Sequence, residues 1–368
     1  MSESTSLLVA TASRLFNDHC TRDVVEAAER GAWPDRLWDA LEETGLAGAA
    51  KSEERGGAGA ELADVFALVR LLGLKAVPAP LAETLLAEEL LAKAGLPSRS
   101  GPLTVGPVLR RDQIVLKKQG GGWSLSGTLH RVPWARNAGA IVVVAQDGAN
   151  ERTVVVETGG AIEDDWNYAR EPRETVRMDD HRLRDEAVGK PMAGYTRDEL
   201  YFRGALYRTI EMAGALETLL ELTVRYAKER IQFGRPIGKY QAVQQQIAAL
   251  ASHAAAAVVV ARAAADAATA ESAHFEIAAA KARVGEAVAV AAGVAHQIHA
   301  AMGFTHEHPL HRITRRLWSW RDEFGTETEW AQWVGNAVAG IGGEQLWSLL
   351  TSRTSRGSEK INQGLRDS

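Results

Sequence analysis

The sequence predicts a mainly α, α+β fold in three parts: an N-terminal helical domain over residues 1–100, a middle β-barrel or sandwich over 101–195, and a C-terminal four-helix bundle over 196–350. Three observations predict it. Apolar residues recur at roughly helical spacing up to about residue 100, at roughly every second position from Gly101 to Gly194, and at helical spacing again after Thr196. Proline and glycine punctuate the joins. Long alanine-rich runs follow residue 240, and such small side chains let antiparallel helices approach closely.

In the first part, residues 6–16 read as an amphipathic helix, and residues 35–43 as a second, with Trp38 and Leu41, stopping at Gly45. Residues 53–59, EERGGAG, form a glycine-rich loop. No strand precedes it and no lysine follows at Walker spacing, so it reads as a loop and not a phosphate cradle. Two more periodic helices, 62–74 and 81–94, join across Pro78 and Pro80. In the middle part, residues 114–116, 123–125, 141–144 and 153–156 are short β-branched runs separated by turn signals at Gly120-Gly121-Gly122 and Asp147-Gly148. The third part holds helical patterns at 200–230, 241–272 and 275–302, with another from 315 onward; residues 351–368 are a polar tail.

Composition narrows the function. A hydrophobic share of 46% and a charged share of 24% describe an ordinary globular chain. The net charge of −5 provides no footprint for nucleic acid. Cys20 stands alone, with no partner for a disulfide or a zinc cluster, which suits a reducing cytoplasm. The N-terminus lacks the pattern of a signal peptide. The most apolar run, residues 254–261, is short and reads as a buried helix, so no membrane partner is expected.

The chain turns on residues 225–246, RYAKERIQFGRPIGKYQAVQQQ. Apolar residues at Leu206, Ile210, Ala213, Leu216, Leu220 and Tyr226 place a stripe along one face of a long helix that ends near Arg230. Pro236 forbids its continuation, and Gly234 and Gly238 allow a tight bend. A dinucleotide offers a charged pyrophosphate and flat rings, which call for a forked cation, an aromatic wall and an amide. Arg230, Phe233 and Gln241 are of those types. The alternative is a solvated helix-end arginine and a phenyl ring stapled into the core. A second stretch, residues 295–326, contains Gln297-Ile298, the small pair Ala300-Ala301, Gly303-Phe304, Glu307, Pro309, Arg315 and Gly325-Thr326.

Both stretches resemble the two signatures of the acyl-CoA dehydrogenase family, in the same order and at the family's distance. The resemblance implies FAD, held by Arg230, Gln232, Phe233, Gln241, Gln297, Ile298, Ala301 and Thr326. It implies an FAD-dependent dehydrogenase in α,β-desaturation of an acyl-CoA, with electron-transfer flavoprotein or a similar acceptor, and a homo- or hetero-oligomer. The chain departs from the family in four places. The family's base, a Glu before Gly-Thr, falls on Phe324, and its second location falls on Gly204; neither takes a proton. Glu323 and Glu211 are the neighbouring carboxylates. Alanines stand at 300 and 301 where the family has two glycines, and the family's loop before the middle strands is not recognisable in residues 101–111. These departures suggest a base-lacking subunit that works with a related, base-bearing chain, or a non-catalytic scaffold; an oxidase with another base is a third reading.

Other residues carry two readings each. Trp134 stands near the flavin edge or in the core. His306, His308 and His311 look like metal ligands but lack a completing carboxylate or cysteine set. Trp318, Trp320, Trp330 and Trp333 read as core or interface, and Glu163, Asp164 and Asp165 as a solvated turn. Arg315, Arg316 and Arg321 bind phosphate or form ion pairs.

Overall fold

The computed structural model describes residues 3–157, 161–191, 194–269 and 273–351. The expected polar tail, apart from Thr351, lies outside the described residues. The chain divides into two compact units, one running to Leu72 and from Val77 to Tyr207, the other comprising Gly73–Ala76 and everything from Arg208 on.

The first unit opens with α1 (Glu3–His19), α2 (Arg22–Glu29) and α3 (Asp35–Glu43). The Thr21 side chain caps α2, and Gly45 at φ 74° ends the turn after α3, where a side chain would be strained. Two single 3-10 turns, Leu46–Gly48 and Glu53–Arg55, precede α4 (Leu62–Lys75) and α5 (Leu81–Lys93). The α5 helix is buried nearly all round, with Glu83, Thr84 and Glu88 among its buried residues. The Thr84 hydroxyl ties it to the next strand, donating to the Leu103 carbonyl at 3.2 Å and accepting from the Leu103 amide at 3.0 Å.

Seven strands follow: β1 (Leu103–Gly106), β2 (Ile114–Gln119), β3 (Gly122–Pro133), β4 (Ala140–Asp147), β5 (Asn150–Glu157), β6 (Ala161–Glu163) and β7 (Arg173–Leu183). They make one mixed sheet in the order β1-β4-β2-β3-β7-β6, with β5 paired to β4 and β1 parallel to β4. The glycine signals are its hairpins. Gly120 and Gly121, at φ 56° and 80°, close β2 on β3 with Gln119 opposite Gly122. The core comprises Leu116, Leu125, Leu129, Val143, Val154 and Val176 with their neighbours. The β7 strand, RETVRMDDHRL, escapes sequence detection because charge masks its alternation.

The long α6 (Arg197–Glu229) passes from the first unit into the second between Tyr207 and Arg208. Then come the short strands β8 (Ile231–Gln232) and β9 (Arg235–Pro236), a 3-10 turn, α7 (Gln241–Ala268) and α8 (His274–His299). After a 3-10 turn at Ala300–Phe304 the chain forms α9 (Leu310–Asp322), α10 (Glu327–Ile341) and α11 (Gly343–Thr351). The helix expected from Arg315 starts five residues earlier, at Leu310, because Pro309 opens it. The core of this unit joins Leu216, Leu250, Val284, Val288, Leu317 and Trp320. By length and mean hydropathy α7 could cross a bilayer, and so could His274–Phe304, the span of α8 and the turn after it. Much of that hydropathy comes from alanine, and α8 buries Lys281 among its neighbours.

Candidate active site

The turn after α6 is built by a two-residue hairpin. Ile231 pairs with Pro236 and Gln232 with Arg235, leaving Phe233 and Gly234 at φ 50° and 80°. Such a turn needs positive φ at both positions, which glycine accepts and phenylalanine resists. The strained Phe233 is 91% exposed and makes only an edge contact with Tyr240 at 6.4 Å. It is therefore no staple into the core, while Arg230 is exposed at the helix end. The Tyr240 hydroxyl braces the turn by donating to the Gln232 carbonyl at 3.1 Å, and the Ile237 amide donates to the Arg230 carbonyl at 2.8 Å. Arg230, Gln232 and Gln241 are exposed beside it.

The second stretch meets the first at its root. Tyr226, one turn before Arg230, stacks on His299 at 4.4 Å, and its hydroxyl reaches the His299 carbonyl at 3.4 Å. Gln297 and Ala301 are exposed there, whereas Ile298 is buried in the core face of α8. Ala300 sits at φ 49°, ψ −136°, a conformation for which glycine is the natural residue. His299 escapes sequence reasoning because it reads as one polar interruption in an apolar helix. It is fully buried; its Nδ1 donates to the Ala295 carbonyl at 2.7 Å, and its Nε2 has no partner. Burial pulls its pKa down to about 4. Burial likewise lowers His296 and, with help from the Arg225 charge, His308.

The two positions at which the resemblance would put a base hold residues that cannot ionise. Gly204 is buried in α6. Phe324 is 3% exposed at φ 51°, and its carbonyl accepts from Trp330 Nε1 at 2.9 Å. The two neighbouring carboxylates are bound to one guanidinium. Arg208 Nε donates to Glu323 at 2.6 Å and its Nη1 donates to Glu211, all three side chains being buried. Beneath the same turn Lys281, fully buried, donates to the carbonyls of Arg321 at 2.6 Å and Gly325 at 2.7 Å, so its ammonium brackets Phe324. Burial pulls Lys281 down to about 7 against the opposing charges of Glu323, Asp322 and Glu327. Thr326 spends its hydroxyl in a capping box with Glu329 at the start of α10.

The remaining candidates resolve toward structure. Trp134 is buried and packs edge-on to Trp33 at 6.0 Å. Arg316 is buried and donates to the Arg312 carbonyl, and Arg321 pairs with Glu327 at 2.7 Å. Trp320 and Trp330 are core residues, while Trp318 is partly exposed. Asp164 pairs with Arg136 and Glu163 with Arg177. Among the described residues no group of three His, Cys, Asp or Glu side chains could hold a metal ion.

Comparison with known proteins identifies the family. Residues 203–327 match the model of the acyl-CoA dehydrogenase C-terminal domain and residues 2–98 that of the N-terminal domain. The chain belongs to the acyl-CoA dehydrogenase family. It is 31% identical to acyl-CoA dehydrogenase IpdE2 of Mycolicibacterium smegmatis over 86% of this chain and 93% of that protein. It is 32% identical to acyl-CoA dehydrogenase IpdE2 of Mycobacterium tuberculosis over 85% and 91%. The ChsE4-ChsE5 complex of Mycobacterium tuberculosis has the same fold, with a TM-score of 0.85 at 23% identity over 92% of this chain and 98% of that one. Acyl-CoA dehydrogenases are FAD flavoproteins, and the residues of the turn fit that group. An exposed phenyl ring lacks cover, an exposed guanidinium and exposed amides flank it, and Ala300 keeps a glycine-type backbone despite its side chain.

Proposed function

We propose that this chain takes part in α,β-desaturation of an acyl-CoA as the base-lacking, FAD-site-completing subunit of a hetero-oligomer with a related acyl-CoA dehydrogenase chain. The observation that carries the reading is the buried Phe324 at the base position, with Glu323 and Glu211 both held by Arg208. A carboxylate that accepts a proton from the carbon next to a thioester must reach that proton and be available to it. A phenyl ring has no lone pair to offer, and a carboxylate bound to a buried guanidinium is pointed at its partner.

FAD, when bound, supplies the hydride acceptor of the desaturation. Arg230 would face its pyrophosphate, Phe233 would cover a ring, and Gln232, Gln241 and Gln297 would offer amides. Ala300 keeps its strained backbone at a cost of about 1–3 kcal/mol, so the loop shape is retained where the family's glycines are not. That retention favours a cofactor-holding subunit over an empty scaffold. The partner chain's carboxylate would take the proton, electron-transfer flavoprotein or a similar protein would be the acceptor, and the assembly would belong to the cytoplasm.

Co-expression with a related chain bearing Glu before Gly-Thr tests the proposal. The two chains are expected to co-purify as a yellow complex whose flavin bleaches when acyl-CoA is added without oxygen, whereas this chain alone leaves it oxidised. Bleaching by this chain alone would overturn the assignment. A colourless complex would point to the scaffold instead.

A further inference from the structure

Two histidines one turn apart on α8 have no part in the chemistry of desaturation, yet they seat the loop that follows the helix. His296 Nε2 reaches the Thr314 hydroxyl of α9 at 2.9 Å, and its ring stacks at 4.4 Å on Phe304, the last residue of the Ala300–Phe304 turn. His299 meets α6. Its ring lies 4.4 Å from that of Tyr226 at an angle of 24°, and 4.6 Å from that of His308. His308 completes the group, edge-on to Tyr226 at 5.8 Å, with its Nδ1 accepting from the Leu310 amide at 3.2 Å. Gly303 packs back onto both helix histidines: a Cβ there would stand 3.0 Å from His296 Nδ1 and 3.1 Å from His299 Cβ.

Packing alone does not call for a histidine at 299. With Nδ1 donating to the Ala295 carbonyl, Nε2 is a buried lone pair without a donor, a cost that a leucine of similar bulk would not carry. A leucine could not offer the flat face on which another ring aligns. The aligned rings join the two segments that carry the candidate flavin site. The Tyr226 carbonyl accepts from the Arg230 amide at 2.8 Å, at the root of the hairpin that holds Phe233. The Tyr226 hydroxyl donates to the His299 carbonyl, next to Ala300 with its positive φ.

We propose that Tyr226 is a positioning residue: stacked on His299, it sets the spacing between the Arg230 hairpin and the Ala300–Phe304 loop, and so the affinity for the flavin nucleotide. His299 is wholly buried, so the pair acts through the backbone on either side and not by touching the ligand. This role rests on the flavin site of the proposed function.

FAD titration of the full chain, alone and in the complex it forms, tests this role together with hydrogen exchange on the flavin-free chain. Tyr226→Leu and His299→Leu are each expected to weaken FAD binding about tenfold, as for residues that tune a site without touching its ligand. Both should speed exchange in the loop of residues 300–305 while α9 and α10 exchange as before. Tyr226→Phe keeps the ring and should keep the affinity and the slow exchange; a cluster that merely fills space would treat phenylalanine and leucine alike. Should His299→Leu misfold, the two Tyr226 substitutions carry the test, since that side chain is only partly buried. A wild type that binds no FAD in either form would overturn the flavin site and this role with it. A wild type that binds FAD, with its affinity unchanged by Tyr226→Leu or lowered equally by Tyr226→Phe, would overturn the role alone and leave the flavin site standing.

Discussion

Phe233 and His299 show how single side chains set apart function and stability. Phe233 is exposed on a strained turn, so little folding energy depends on its ring. Phe233→Ser is expected to leave the denaturation midpoint within about 0.5 kcal/mol of wild type, as for surface changes in general, while weakening FAD retention on gel filtration. A large loss of stability would mean that the ring packs inside. His299 behaves in the opposite way. Its native pKa of about 4 lies below the ordinary 6.5, so above pH 6.5 it is neutral in both states and its stabilising effect is fully present. As the pH falls from 6.5 to 4, the unfolded chain takes up a proton that the native side chain refuses, and at most about 3 kcal/mol is lost. His299→Leu should flatten stability across that window in pH-dependent urea titrations; an unchanged slope would refute the assignment. The motif letters announced Phe233, whereas the pairing of Glu323 and Glu211 through Arg208 could not be read, since residues 115 positions apart carry no mutual sequence signal.

Elements depend on close backbone approach as much as on apolar stripes. Gly73 near the end of α4 lies so close to α6 that a Cβ would sit 1.9 Å from the Glu211 carbonyl oxygen. Both sides of that contact are helix backbone, which yields less readily than a side chain. Gly73→Ala is expected to cost about 1–3 kcal/mol or more by overpacking, although alanine is the better helix former. Thermal melts decide between these, and a gain in stability would show that the helices part easily. The helices of the first part, 35–43, 62–74 and 81–94, emerged within a residue or so of their positions because their stripes and proline stops are local. α2 went unseen, being only eight residues long, and α9 was placed late because His311 and Arg312 interrupt its first turn.

At the scale of the molecule, two units with separate cores predict separable unfolding. Leu216 is fully buried in the core of the second unit, so Leu216→Ala should cost about 2–5 kcal/mol there. Hydrogen exchange would reveal which amides feel it. Faster exchange in α7 and α8 with β3 and β7 unchanged is expected, and equal loss in the sheet would show one cooperative fold. The middle sheet was foreseen as strands but not as one mixed sheet, because the parallel pairing of β1 with β4 joins segments nearly forty residues apart. By itself the sequence determined the family and the three-part order of helices, strands and helices, since each rests on local periodicity or on a contiguous motif. Only the tertiary structure decided that the spare carboxylates are bound by Arg208, that Phe233 faces outward while Trp134 faces inward, and that Lys51 and Arg55 stand beside the buried Glu88. Those facts depend on which distant side chains share a low-dielectric interior, and burial and pairing there are set by packing in space and not by order along the chain.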